Sequence, residues 1–315
     1  MRPALLNRSL GVLAAGAAIA LAGCSDSATA PGAAAVGLSP AEVDEITVGF
    51  EDDADLSVDA LFHGGTLNAF NDMTPAFSWF PGVPPRMGPV VDCLVIEPLP
   101  PEDPDGDGIP TRLALRFDPD PCVLGRGRTA LEFSGSITVV DPVPDVAGYD
   151  VDETIDHLGF AHTLPNGRAI TLVRNGTRGV RQDTGNNRLT AVERLTSSHT
   201  TPGRAFQEAS VDWTLTFDGD DAIVFRQPIP SGSLTIEGDW SFANQTHNRM
   251  FNVTTVTPLR YDATCSAVRP ILRFSEGQIR KTLMRDGVAR AVITLTWTGC
   301  GVEPTRKVSR PDGTI

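Results

Sequence analysis

The sequence predicts an all-β protein whose antiparallel strands form a meander or sandwich-like sheets. The first observation is the alternation of apolar and polar residues, which is the period of a strand with one buried face. Four such runs are residues 131–139, 211–217, 234–242 and 289–298. The second is the turn dipeptides between runs, among them Asn166-Gly167 and Asp286-Gly287. The third is a content of 25 Pro and 30 Gly, which suits a turn-rich architecture.

A helix is predicted before the strands. Ser39 has the features of an N-cap, Pro40 stands at the first helical position, and Glu42 completes a capping box three residues after the serine. No helical pattern of 12 or more residues follows, so the prediction is a short N-terminal helix near residues 40–46.

The N-terminus has the features of a bacterial secretion signal. Arg2 and Arg8 precede an apolar run over residues 10–22, which is too short to cross a hydrocarbon layer of about 30 Å. The run ends in Leu21-Ala22-Gly23-Cys24, which resembles the lipobox of bacterial lipoproteins. The resemblance implies removal of residues 1–23 and acylation of Cys24, with the lipid bilayer as a partner. A plain signal peptide with an accidental cysteine is the alternative.

The same resemblance implies a location in the cell envelope. Ser25 follows the cysteine where an aspartate would favour retention in the inner membrane, so the expected location is the outer membrane. Whether the protein faces the periplasm or the exterior stays open. Residues 24–37 are mostly Ser, Ala, Thr, Gly and Pro, a composition that predicts a flexible tether.

The rest of the chain is predicted to form two β sub-domains, residues 38–157 and 158–315. The first contains 24 acidic and 5 basic residues, and the second contains 14 acidic and 19 basic residues. This asymmetry predicts either cation binding by the first and anionic partners for the second, or a solvated surface. The net charge of −13 argues against nucleic acid as a partner.

Four cysteines besides Cys24 predict two structural disulfides in an oxidising compartment. They are Cys93, Cys122, Cys265 and Cys300. Of the three possible pairings, proximity in sequence favours Cys93 with Cys122 and Cys265 with Cys300. Each pair brackets strand and turn patterns, so the two sub-domains are expected to be related, disulfide-tied units. No closely spaced Cys or His accompanies either pair, as a zinc site would need.

An acidic loop offers a candidate metal site. Its first, third and fifth positions are Asp103, Asp105 and Asp107. Gly108 follows at position six, as in calcium loops of the EF-hand type, and calcium is the only cofactor that the sequence indicates. Position twelve, however, is Ala114, so Asp118 or Asp120 would have to supply a missing ligand. The alternative is a solvated acidic turn.

Two further patches predict binding surfaces. Phe77, Trp79 and Phe80 could form an aromatic platform for a glycan, a lipid or another envelope protein, or they could pack in the core. Five arginines between Arg168 and Arg188 could face anionic envelope polymers, or they could form a solvated strand face.

No catalytic motif is evident. The sequence contains neither Gly-x-Ser-x-Gly nor His-Glu-x-x-His. Asp156, His157 and His162 are the closest acid and histidine grouping, but adjacent residues on a strand point to opposite faces. The sequence therefore favours a protein without enzymatic activity.

The body of the chain resembles a family of bacterial lipoproteins that has no assigned activity. The resemblance rests on residues 112–122, 125–128, 134–139 and 289–301. It implies a β-rich fold and no catalytic residue. The expected function is a cell-envelope lipoprotein acting as a binding or structural scaffold. The alternatives are a calcium-stabilised structural module and a hydrolase of a cell-surface polymer.

Overall fold

A computed structural model describes residues 37–63, 93–118, 120–124, 131–163, 169–200, 207–224, 227–244, 247–267 and 269–314. These residues form a long helix, α1 (Pro40–His63), a short 3-10 helix (Pro270–Arg273) and thirteen strands. The strands are β1 (Leu94–Glu97), β2 (Arg112–Phe117), β3 (Cys122–Leu124), β4 (Leu131–Val140), β5 (Val151–Thr163), β6 (Ala169–Asp183), β7 (Arg188–Thr200), β8 (Gln207–Gly219), β9 (Gly232–Asn244), β10 (Asn248–Tyr261), β11 (Phe274–Arg285), β12 (Val288–Trp297) and β13 (Thr305–Ser309).

All thirteen strands of this described part belong to one antiparallel sheet. Each strand pairs with its neighbour in sequence, except that β2 pairs with β4 and β3 pairs with β4 alongside it. The predicted antiparallel meander is therefore confirmed. The alternation that predicted it has the expected origin: on β8, Val211, Trp213, Leu215 and Phe217 are buried, while Asp212, between the first two, is exposed.

Helix α1 begins where the capping box predicts and continues well beyond it. The Glu42 N–H donates to Ser39 Oγ at 3.2 Å, and the Ser39 N–H donates to Glu42 Oε2 at 2.8 Å. The helix then runs to His63, whereas the sequence predicted an end near Ile46. The extension has a tertiary cause, because its apolar residues at spacings of three and four are buried against the sheet.

The core lies between α1 and one face of the sheet. Phe50 makes edge-to-face contacts with Trp213 and Trp240, each at 5.8 Å between ring centroids, and Phe62 packs on Phe217 and Tyr261. Polar contacts reach the same helix from strands as distant in the sheet as β7 and β13. The sheet therefore curves around the helix.

Both predicted disulfides are confirmed. Cys93 is bonded to Cys122 and Cys265 to Cys300, with Cα–Cα distances of 5.9 and 5.8 Å. The first joins the residue before β1 to the start of β3. The second joins the connection after β10 to the connection after β12.

Strand β5 contains residues 157 and 158, between which the sub-domain boundary was predicted, and the sheet continues on both sides of it. In the part of the chain that is described, no helix combines the length and apolar character needed to cross a membrane.

Candidate functional site

The acidic loop between β1 and β2 brings the three predicted carboxylates together. Asp103, Asp105 and Asp107 each offer an oxygen, and these three oxygens lie within 4.8 Å of one another. Backbone N–H groups of Gly106 and Gly108 donate to the two oxygens of Asp103, at 3.0 and 2.9 Å. The loop thus holds its carboxylates in a fixed arrangement, and each oxygen keeps a second lone pair for a cation.

A fourth carboxylate, which the sequence did not predict, lies beside this loop. Asp141 directly follows β4, is 4% exposed, and donates its backbone N–H to the Pro110 carbonyl at 3.2 Å. Its Oδ1 accepts the Val143 N–H at 2.8 Å. Its Oδ2 and the Oδ2 of Asp105 are buried and have no hydrogen-bond partner among the described residues. Both buried oxygens can therefore accept a hydrogen bond or bind a cation.

The electrostatics of this cluster favour an added positive charge. Burial raises the pKa of Asp107, and the charges of Asp105 and Asp141 raise it further. Burial also raises the pKa of Asp141, with a further contribution from the charges of Asp105, Asp150 and Asp103. Like charges that destabilise one another in this way would be stabilised by a bound divalent cation.

The supplementary ligands predicted from the sequence are engaged elsewhere. Asp118 pairs with Arg116 at 3.1 Å, and Asp120 accepts the Gly135 N–H at 3.3 Å. Ala114, at the twelfth position of the loop, lies in β2. The carboxylate oxygens that lie within 4.8 Å of one another come from Asp103, Asp105 and Asp107, and Asp141 lies beside this group without being part of it. Oxygen donors of this kind suit calcium, which takes six to eight oxygens in flexible geometry.

A second polar cluster is buried under α1. Arg178 donates through Nε to Glu193 at 2.6 Å and through Nη1 to Glu153 at 3.2 Å. Glu193 also accepts from the Trp213 indole at 3.0 Å and from the Ser57 hydroxyl on the helix. Burial by itself would raise the pKa of Glu193, but the Arg178 charge and these hydrogen bonds lower it. This cluster fastens the helix to β5, β6, β7 and β8.

The interpretation of the arginine stretch as a solvated strand face is wrong for two of its members. Arg174 and Arg178 are 6% and 2% exposed, because both lie on the face of β6 that is turned towards α1. Arg181 and Arg188 are on the outside and pair with Asp152 and Asp218.

A buried lysine faces the helix from β11. Lys281 is inaccessible to solvent, and its Nζ lies 4.5 Å from the ring centroid of Phe50 and 5.7 Å from that of Trp240. None of the described residues accepts a hydrogen bond from it. Burial lowers the pKa of Lys281 to about 7, although the Glu51 carboxylate opposes this shift. The amine is therefore held mainly by the faces of two aromatic rings.

The expectation that Asp156 and His157 point to opposite faces is wrong. His157 has a φ of +47° at a bulge between Ile155 and Leu158, and its Nδ1 lies 2.6 Å from Asp156 Oδ1. The irregular backbone turns both side chains to the same side. Both are about three-quarters exposed, so this acid and histidine pair lies in solvent rather than in a cleft.

The remaining predicted site residues lie outside the described part of the chain. They are Cys24, Phe77, Trp79, Phe80 and, from the arginine stretch, Arg168. Acylation of Cys24 and the aromatic platform therefore stay predictions. Comparison of the chain with protein families, with curated proteins and with solved structures found no match.

Proposed function

We propose that this protein is a lipid-anchored, non-enzymatic scaffold of the bacterial cell envelope, stabilised by a calcium ion. The observation that carries the calcium part is the convergence of the Asp103, Asp105 and Asp107 carboxylates beside Asp141, whose buried Oδ2 has no hydrogen-bond partner among the described residues. The anchor is supported by the Leu21-Ala22-Gly23-Cys24 sequence. Each part has its own test.

A cation at this position would join two connections of the sheet. The loop from Asp103 to Asp107 precedes β2, whereas Asp141 follows β4. Asp107 Oδ2 already accepts the Gly148 N–H at 3.1 Å, across the connection between β4 and β5. The ion would act together with the Cys93–Cys122 disulfide, because both constrain the edge of the sheet formed by β1 to β4.

Calcium is expected to raise the melting temperature. If calcium is supplied at about 100 times its dissociation constant, binding to the folded state alone adds about 2.7 kcal/mol, which corresponds to roughly 5–10 °C for a domain of this size. Thermal unfolding followed by circular dichroism in chelator, in millimolar calcium and in millimolar magnesium would measure this change in melting temperature. Magnesium is expected to have a smaller effect, because it demands octahedral geometry and releases its water reluctantly.

The matched variants for this test are Asp141→Asn and Asp145→Asn. Asp141→Asn is expected to lose most of the calcium response while melting no lower than the wild type in chelator, because it removes a repulsive charge. Asp145 is exposed in the same connection, and its variant should respond as the wild type does. A calcium response equal in all three proteins, or absent from the wild type, would contradict the proposed site.

The anchor is tested by Cys24→Ser in the expressing bacterium. The wild type is expected in the membrane fraction with an acyl mass on its N-terminal cysteine, and the variant in the aqueous fraction, because two acyl chains are enough for stable membrane attachment. Immunoblots of the fractions and mass spectrometry of the N-terminal peptide measure this. An unacylated wild-type protein found only in the aqueous fraction would refute the anchor and leave the calcium proposal intact.

A further inference from the structure

A small cavity lies between α1 and strands β6 to β9. Its volume is about 170 Å³. Leu56 of the helix, Leu172 of β6 and Phe242 of β9 supply an apolar lining. An engineered protein cavity of about 150 Å³ with a wholly apolar lining is large enough for one benzene ring. The space therefore suits a single small ring or an aliphatic group of similar size.

Charged groups at this cavity are predominantly acidic. Asp52, Asp53 and Glu208 line it together with one basic residue, Arg174. The positive charge of Arg174 is already opposed by Asp53 and by the nearby Glu193. Asp52 pairs with Arg269 at 3.2 Å, and Glu208 is exposed. Asp53 and Glu208 therefore leave the lining with one negative charge more than the positive charge that Arg174 supplies, which favours a cation over an anion.

Asp53 is the group best placed to hold such a cation. Its Oδ2 accepts the Trp240 indole N–H at 2.9 Å, which fixes the carboxylate at the cavity wall. Burial raises the pKa of Asp53 to about 6, with smaller contributions from the charges of Asp52 and Glu193, while the Trp240 hydrogen bond and the Arg174 charge oppose the shift. At neutral pH the carboxylate is ionised at an energetic cost that a bound cation would reduce.

We propose that this cavity binds a small organic cation, a primary amine on a single apolar ring or a short branched chain. The ammonium group would donate to Asp53, and the apolar body would pack on Leu56, Leu172 and Phe242. Neither the calcium site nor the anchor is needed for this binding, so the proposal is independent of both.

Three probes of nearly the same shape test the proposal: benzylamine, benzyl alcohol and benzoate. The readout is the indole ¹H–¹⁵N resonance of Trp240, because that N–H donates to Asp53. Benzylamine is expected to shift this resonance saturably at pH 7.5 and to bind about tenfold or more tightly than the other two, since a charge-assisted hydrogen bond contributes about 1.5–3 kcal/mol. Asp53→Asn, which keeps an acceptor for Trp240, should abolish the preference for the amine.

Asp212→Asn is the control, because Asp212 lies on β8 with an exposed side chain and pairs with Arg194. It should bind benzylamine as the wild type does. If Asp53→Asn does not fold, Ala209→Leu replaces it, because Ala209 lines the cavity and a larger side chain would fill it. The proposal is overturned if benzylamine gives no saturable shift, if the three probes bind equally, or if the folded cavity variant retains the preference.

Discussion

Replacing Glu193 with alanine is expected to lower the free energy of unfolding at neutral pH by about 3–5 kcal/mol. Glu193 is fully buried, and its carboxylate accepts from Arg178, Trp213 and Ser57. Its removal would leave the buried guanidinium of Arg178 with half of its acidic partners and would deprive two further donors of their acceptor. The alanine cavity adds to the loss.

The sign of the pH dependence follows from the lowered pKa of Glu193. A carboxyl group whose pKa is lower in the folded state stabilises the protein above its unfolded pKa and loses this contribution as the pH falls through its folded pKa. The difference in the free energy of unfolding between the variant and the wild type should therefore be largest at neutral pH and should become smaller in acid.

Urea unfolding followed by circular dichroism, with both disulfides intact, measures this effect. The matched control is Asp212→Ala, which breaks the exposed pair between Asp212 and Arg194 at 3.2 Å and should cost under about 1 kcal/mol. If the two variants lost the same stability, the buried cluster would not hold the helix in the way described.

Replacing Lys281 with methionine is expected to raise the free energy of unfolding at pH 7 by about 2–4 kcal/mol. The pKa of this lysine is about 7 in the folded protein, against an ordinary value of 10.5. Between these values the unfolded chain binds a proton that the folded protein largely does not, so wild-type stability falls as the pH is lowered through this range. Methionine has a similar length and does not titrate.

The gain in the free energy of unfolding should be largest at pH 7 and below, and it should fade as the pH approaches 10.5, where the lysine is neutral in both states. It is reduced by the lost cation–π contacts with Phe50 and Trp240 and by the lost attraction to Glu51. Unfolding free energies measured in urea at pH 7, 8.5 and 10 test this dependence. Lys307 is the matched control, because it is exposed on β13 and Lys307→Met should change little. A destabilised Lys281→Met at pH 7, or a pH-independent difference, would contradict the argument.

The strands were predictable because apolar and polar residues alternate along them, and the apolar residues are the buried ones. On β9, Leu234, Ile236, Trp240 and Phe242 are buried at the even positions, and on β12 Ile293, Leu295 and Trp297 are buried at the odd ones. Such alternation depends only on neighbouring residues. The disulfide pairing followed for a related reason, since a meander keeps sequence neighbours close in space.

The helix and the buried charges were less predictable, because sequence patterns treat charged residues as exposed. On α1, Glu51 and Asp53 interrupt the apolar spacing, yet both face partners on the sheet. A clue was present on β7, where Glu193 shares the alternating face of Leu189, Ala191 and Leu195. An acid among buried apolar residues in one register predicts a buried counter-charge, and the arginines of the adjacent strand supply it.

The acidic loop shows the same limit. Its three aspartates occupy alternate positions of one short segment, so the local sequence was enough to predict that they form a site. Asp141 is brought to them by the pairing of β2 with β4, in which Arg112 lies opposite Val140. Such a contribution depends on the register of a sheet, and no local motif encodes it.

Because α1 lies at the start of the described chain, its contacts with the sheet form after the neighbouring strands have paired. Neighbouring hairpins have low contact order and can form as soon as their residues are synthesised. The polar contacts of the helix form later, because Ser57 bonds to a residue 136 positions further along the chain and Asp44 to one 262 positions further along. Its apolar residues Phe50 and Phe62 pack on β8, β9 and β10, and its polar contacts stay incomplete until β13 has been made. The full set of contacts between the helix and the sheet is therefore completed only when the last strand is present.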